Sequence, residues 1–163
     1  MELHAARLLL LLKNCGVKKR GRIDGLTKLA KLDFFVRYPQ AFDRVADHLQ
    51  KKVTSATDVV ESSMVRHHYG PWDKRYYQIL PYLEARRLIT VTKQDNTYSF
   101  ELTDKGAEVA EELDKRAEFS TQTDQMRRVK SVLGKKTGSA LKALIYEVFQ
   151  TEVADKQLGE VIQ

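Results

Sequence analysis

The chain has 163 residues, of which 42% are apolar and 31% charged, enough for one sizeable core and outside the composition classes of disordered and membrane proteins. Its longest apolar run, Leu8 to Leu12, is far short of the roughly 20 residues that cross a bilayer, and no basic segment with a small-residue cleavage site frames it, so a soluble cytoplasmic protein without membrane contact is expected. Cys15 is the only cysteine, which excludes an intrachain disulfide and a cysteine-built zinc site. The formal charge of +6 and a pI near 9.4 point to an acidic partner, nucleic acid first, although a solvated basic surface gives the same balance. Basic residues gather early (Lys13, Lys18, Lys19, Arg20, Arg22, Lys28, Lys31) and late (Arg127, Arg128, Lys130, Lys135, Lys136), with acids concentrated between them from Asp104 to Glu118.

Glu2 to Asn14 reads as a helix whose apolar residues (Leu3, Ala6, Leu8 to Leu12) cover more than one stripe, so it is expected at the centre of the fold. Gly16 and the basic segment Val17 to Arg22 end it. After Gly25 a second helix places Leu26, Leu29, Ala30, Leu32 and Val36 at helical spacing and leaves Thr27, Lys28 and Lys31 on the wet face. Pro39 stops that helix by disfavouring helical geometry at Tyr38, and Ala41, Phe42, Val45, Ala46 and Leu49 make a short third one. Lys51 to Asp58 reads as a loop and Ser63 to His68 as an extended piece, followed by a tight turn at Tyr69-Gly70-Pro71-Trp72.

A helix resumes at Asp73 with Tyr76, Ile79, Leu80 and Leu83 on one side; Pro81 removes a hydrogen bond there and predicts a kink or two short turns. Ile89 and Val91, a turn at Gln94-Asp95-Asn96, then Tyr98, Phe100 and Leu102 predict a β-hairpin with one buried face. Thr103 is placed to cap the next helix, with Ala107, Ala110, Leu113 and Ala117 as its inner stripe. Two more helices, Thr123 to Leu133 and Ser139 to Gln150, flank a break at Gly134 to Gly138. The order is that of a mainly helical fold with a small β wing: a winged helix-turn-helix domain over 1–118 and a helical extension over 119–163, which either docks on its own core or seeks a partner.

No residue pattern announces chemistry. His67 and His68 are neighbours on a strand and point to opposite faces, so they cannot close on one metal ion. No nucleophile elbow or phosphate-cradling glycine loop occurs, and Cys15 reads as a buried, inert thiol. The expectation is a protein that is not an enzyme and needs no cofactor or metal. Candidate nucleic-acid contacts are Lys18, Lys19, Arg20, Arg22, Lys74 and Arg75, the last two at the exposed start of the helix before the wing. The aromatic cluster Tyr69, Trp72, Tyr76 and Tyr77 could stack bases; the competing reading is that Trp72 packs under Tyr76 as a staple.

Three stretches taken together resemble a known family: Gly21-Arg22-Ile23-Asp24-Gly25-Leu26-Thr27-Lys28-Leu29-Ala30-Lys31-Leu32-Asp33-Phe34-Phe35-Val36-Arg37-Tyr38-Pro39, then Arg66-His67-His68-Tyr69-Gly70-Pro71-Trp72-Asp73, then Tyr98 to Gly106. They are similar to the middle component of bacterial ABC three-component systems, which include the Lamassu anti-phage systems. The resemblance covers roughly the first 115 residues and implies a non-catalytic winged-helix subunit assembled with an SMC-like, Rad50-like ATPase and an effector, often a nuclease. The family offers no catalytic residues to carry over. Phe34, Phe35, Tyr38, Tyr69 and Trp72 are the candidate partner contacts if exposed, and core if buried. The alternative is a winged-helix transcription regulator that binds DNA as a homodimer whose two copies are joined through their first and last helices.

Overall fold

A computed structural model describes residues 1–49, 65–67 and 70–149, with the backbone alone at 65–67, 70 and 71. The expected loop Lys51 to Asp58, together with His68 and Tyr69, lies outside the described residues. The described chain is mainly helical: α1 (Glu2–Cys15), α2 (Leu26–Arg37), α3 (Pro39–His48), α4 (Tyr76–Ala85), α5 (Asp104–Asp114), α6 (Ser120–Leu133) and α7 (Gly138–Val148). Strands β1 (Arg22–Asp24), β4 (Ile89–Gln94) and β5 (Thr97–Leu102) form one antiparallel sheet, and β2 (Val65–His67) pairs with β3 (Gly70–Trp72).

Leucines tolerate helix well, and α1 carries five in succession between Arg7 and Lys13. Leu8, Leu10, Leu11 and Leu12 are all completely buried, so this helix is enclosed on every side and not on a single stripe. Each such burial stabilises by about 1.5–3 kcal/mol. The first turn is the exception, since Leu3 stays 57% exposed. The chain leaves α1 at Gly16 in an extended conformation and doubles back: Val17 and Arg22 exchange backbone hydrogen bonds of 2.8 and 2.7 Å. Gly21 has φ +66° and sits so close that a side chain would meet the Leu12 carbonyl oxygen at 2.3 Å.

That return delivers β1 to the edge of the hairpin. The register is Ile23 opposite Phe100 and Val91 opposite Phe100, which puts these apolar side chains on one face, with Ile89 and Leu102 continuing it. Asp95 takes positive φ in the two-residue turn. Two expectations fail here. Tyr98, expected on the buried face, is 45% exposed, while its neighbour Ser99 is covered because its hydroxyl donates to Asp24 Oδ1 at 2.7 Å beneath the Arg22 guanidinium.

Pro39 occupies the first position of α3, so α2 stops at Tyr38 as its restricted geometry requires. Gly70-Pro71-Trp72, expected as a turn, is instead strand β3, with Trp72 opposite Val65. Pro81 lies within α4, which runs as one ten-residue helix and not as two short turns. Thr103 caps α5 as expected, its hydroxyl oxygen accepting from the Gly106 N–H at 2.9 Å. The helix stops at Asp114, so Ala117 falls in the 3-10 turn Ala117–Phe119 and is exposed instead of continuing the inner stripe.

The last two helices dock on their own core. Met126, Val129 and Leu133 of α6 and Leu141, Leu144 and Ile145 of α7 join the same buried cluster as α1 and α2. The Gln125 side chain donates to the Phe35 carbonyl at 2.9 Å, tying α6 to α2.

One residue placed on the wet face by its charge is in the core. Lys31 is fully buried, 5.7 Å from the Trp72 ring centroid. Burial, with Lys142 adding repulsion, lowers its pKa from 10.5 to about 7. The folded protein therefore releases this proton between pH 7 and 10.5 while the unfolded chain still holds it, so its contribution to stability rises with pH across that window and is a constant penalty below it. The separation corresponds to about 5 kcal/mol. Lys31→Met is expected to be more stable than the wild type in urea at pH 7, with the difference shrinking toward pH 10; a gap that stays constant between those pH values contradicts the assignment.

Candidate functional site

The most elaborate polar constellation is a chain of ions running from α1 through α2 to the start of α4. Asp33 Oδ1 accepts from Arg7 Nε at 2.9 Å and Oδ2 from Arg7 Nη2 at 3.3 Å; the Tyr76 hydroxyl also donates to Oδ2, and Arg37 Nη1 stands 3.5 Å away. Arg37 Nη1 donates to Asp73 Oδ2 at 2.7 Å. Asp73 further accepts from the Arg75 backbone N–H at 2.9 Å and from the Arg75 guanidinium at 2.6 to 3.1 Å. The side chains of Arg7, Asp33 and Arg37 are at most 1% exposed.

Helical spacing builds this set. Asp33 and Arg37 stand one turn apart on α2, and α1 crosses beside them. Burial alone would raise the Asp73 carboxyl, but its hydrogen bonds from Arg75 and the charges of Arg37 and Arg75 outweigh that and hold it well below the usual carboxylate range. The Tyr76 hydroxyl is driven far above its ordinary value, first by burial and then by the Asp33 charge, so it remains a donor. His4 closes the chain at the surface, its two ring nitrogens 2.7 Å from Arg7 Nη1 and 2.6 Å from Arg75 Nη1. A neutral imidazole accepts at one nitrogen only, so one of these contacts at a time is a hydrogen bond. Burial and the two guanidinium charges lower the His4 pKa and keep the ring neutral near pH 7.

These groups hold one another and offer no free nucleophile or base. They join α1, α2 and α4 and are read as structural. Cys15 is buried, its thiol donates to the Met126 carbonyl at 3.3 Å, and burial pushes its pKa up to about 12, which removes thiolate chemistry at neutral pH. Among the described residues no group of three or more His, Cys, Asp or Glu side chains is placed to hold a metal ion.

The residues expected to meet partners divide sharply. Phe34, Phe35 and Trp72 are 2%, 0% and 2% exposed and belong to the core. Phe34 packs on Phe35 and Tyr38, and Trp72 stands edge-on to Tyr76 at 5.8 Å, the staple arrangement in preference to a base-stacking one. Tyr38 is half-buried, and Tyr69 lies outside the described residues. Of the cluster's described members, Tyr77, at 57% exposed, is the one left at the surface.

The candidate nucleic-acid contacts do not form one patch. Lys18, Lys19 and Arg20 are exposed on the turn after α1, where Arg20 pairs with Asp104 and Arg22 with Asp24. Lys74 is exposed and Arg75 half-buried at the start of α4, beside His4 in the first turn of α1. The length of α1 separates the two groups, about 16 Å from His4 to Cys15 at 1.5 Å per residue.

The ion chain was missed because charge was read as exposure. The signal available was Arg7 between Ala6 and Leu8, and Asp33 and Arg37 one turn apart inside an apolar stretch. No helix among the described residues is long and apolar enough to cross a membrane. No protein-family model, curated protein or solved structure matches the chain.

Proposed function

We propose that this chain is a non-catalytic winged-helix subunit that acts by binding other macromolecules, as the middle component of a bacterial ABC three-component system of the Lamassu anti-phage type. The observation that carries the reading is the sheet order β1-β5-β4. A strand leaving the first helix takes the edge beside the far strand of a hairpin that α4 feeds directly, which is how a winged helix braces its wing. The stretch Gly21 to Pro39, the most specific part of the family resemblance, supplies that edge strand and all of α2.

In this reading an SMC-like ATPase senses foreign or damaged DNA, and the subunit holds a nuclease effector to it until a nucleotide- or DNA-driven change releases the effector. A subunit without chemistry contributes only through different affinities for the two states of the assembly. The homodimeric regulator needs apolar surface on the first and last helices. Among the described residues α1 is enclosed from Leu8 to Leu12, and α7 lays Leu141, Leu144 and Ile145 into its own core. The purified chain is therefore expected to be a monomer by light scattering and to select no operator from a random DNA pool. A stable dimer that enriches one sequence would make it a regulator.

A further inference from the structure

Two contacts bring parts of the early and late basic clusters together. Lys130 Nζ, in the last turn of α6, donates to the Gly16 carbonyl at 2.7 Å, and Lys28 Nζ, in the first turn of α2, donates to the Gly134 carbonyl at 2.8 Å. A side chain added at Gly138 would stand 2.9 Å from the Lys28 backbone nitrogen, so the start of α7 abuts the start of α2. The turn after α1, the start of α2 and the connection between α6 and α7 are thereby drawn together.

Packing also sorts the cations. Lys13 is matched by Asp114 at 3.0 Å, Arg127 by Asp114 and Asp124, and Arg128 by Asp43 at 2.7 Å. Of the two clusters, Lys18, Lys19, Lys28, Lys130, Lys135 and Lys136 have no carboxylate within ion-pair distance among the described residues, although Asp24 is near enough to act on the charges of Lys18 and Lys28; Lys74, alone at the start of α4, has no such pair either. Lys28 and Lys130 have a local reason to be there, since each sits at the carbonyl end of a helix, where a cation is favoured. Nothing of the kind accounts for Lys18, Lys19, Lys135 and Lys136. Like charges gathered on one face repel, and an anionic partner relieves that repulsion.

We propose that this lysine face, and not the start of α4, binds the phosphate backbone of duplex DNA without reading its sequence. Lysines act as point charges toward phosphate, and the face carries no Asn, Gln or unpaired Arg to read base edges. The large exposed apolar side chains, Met1, Leu3, Tyr77 and Tyr98, lie outside these segments, which disfavours insertion into a lipid surface. The inference deepens the macromolecule-binding reading by giving the subunit its own DNA contact, and it stands on charge placement independently of the ATPase.

The full chain is titrated against a labelled mixed-sequence duplex of about 20 base pairs, followed by fluorescence anisotropy. Contact with about five phosphates should weaken binding by about 10²–10³-fold between 50 and 200 mM salt. The variants K18E/K19E and K135E/K136E should each lose about tenfold or more at the lower salt and flatten the salt dependence, with melting curves unchanged, while Lys74→Glu on the far side of α1 changes affinity less than about twofold. Unchanged affinity in both pair variants, or a loss confined to Lys74→Glu, overturns the proposal. So does a wild-type chain that binds vesicles of mixed phosphatidylcholine and phosphatidylserine but not the duplex. Co-purification of the same variants with an ATPase, read separately, tells failure of this face from failure of the subunit reading.

Discussion

Asp33→Ala is expected to be the most damaging single substitution outside the leucine core, lowering stability by about 3–5 kcal/mol. The carboxylate is completely buried and accepts from Arg7 and Tyr76 while it faces Arg37 at 3.5 Å. Without it, two guanidiniums whose side chains are at most 1% exposed lose a shared counter-charge in a medium that solvates charge poorly. The cost is asymmetric: removing one partner of a buried pair is far worse than replacing both by apolar groups of similar size. The pair Arg7→Met with Asp33→Leu is therefore expected to recover much of the loss. Urea unfolding of the two variants beside the wild type measures this. A single variant within about 1 kcal/mol of wild type would mean that water reaches the network and that it contributes little.

Gly106→Ala sets two effects against each other. Helix propensity favours alanine over glycine by about 1 kcal/mol, and Gly106 lies in the first turn of α5. Packing opposes it: the new Cβ would stand 1.8 Å from the Leu88 carbonyl oxygen and 2.8 Å from its carbon. Both are backbone atoms, and that carbonyl already accepts from the Thr103 N–H at 3.1 Å, so the helix start must lift away from the link between α4 and β4. Overpacking against side chains typically costs about 1–3 kcal/mol, and rigid backbone puts this site at or beyond the upper end. A melting temperature lower by about 10 °C is expected, taking about 3 kcal/mol at roughly 2–4 °C per kcal/mol for a domain of this size. A variant as stable as wild type, or more so, would show that propensity wins and that the close approach is not real.

The helices and the hairpin were legible because their apolar residues repeat at 3.6 and at 2, and those periods hold whatever the partner is. Strand β1 was not, since it has three residues with Ile23 as its one large apolar side chain, and it exists through pairing with β5 some 75 residues later. Lys31, Asp33 and Arg37 illustrate a second limit. Period alone puts Asp33 and Arg37 on the inner face, whereas residue type argues for water, and the tie is broken by Arg7 and Asp73, which lie 26 and 36 residues away in sequence; Lys31 lies on the opposite side of the helix by both signals and is buried beside Trp72 all the same. Trp72 and Phe35 were offered to partners on their chemistry, and the core claimed them. The lysine face was half visible: both basic clusters stand out in the sequence, but their meeting depends on the contact of Lys130 with Gly16 across 114 residues.

The central claim is that the chain works as a bound subunit, and native capture from its own cells addresses it most directly. The tagged chain is recovered after nuclease treatment, so that partners bridged by DNA are lost, and the eluate is identified by mass spectrometry. Recovery of an SMC-like ATPase together with an effector protein, in constant proportion to the bait, is the result this account predicts. Recovery of the chain alone, as a dimer that binds one DNA sequence tightly, would contradict it.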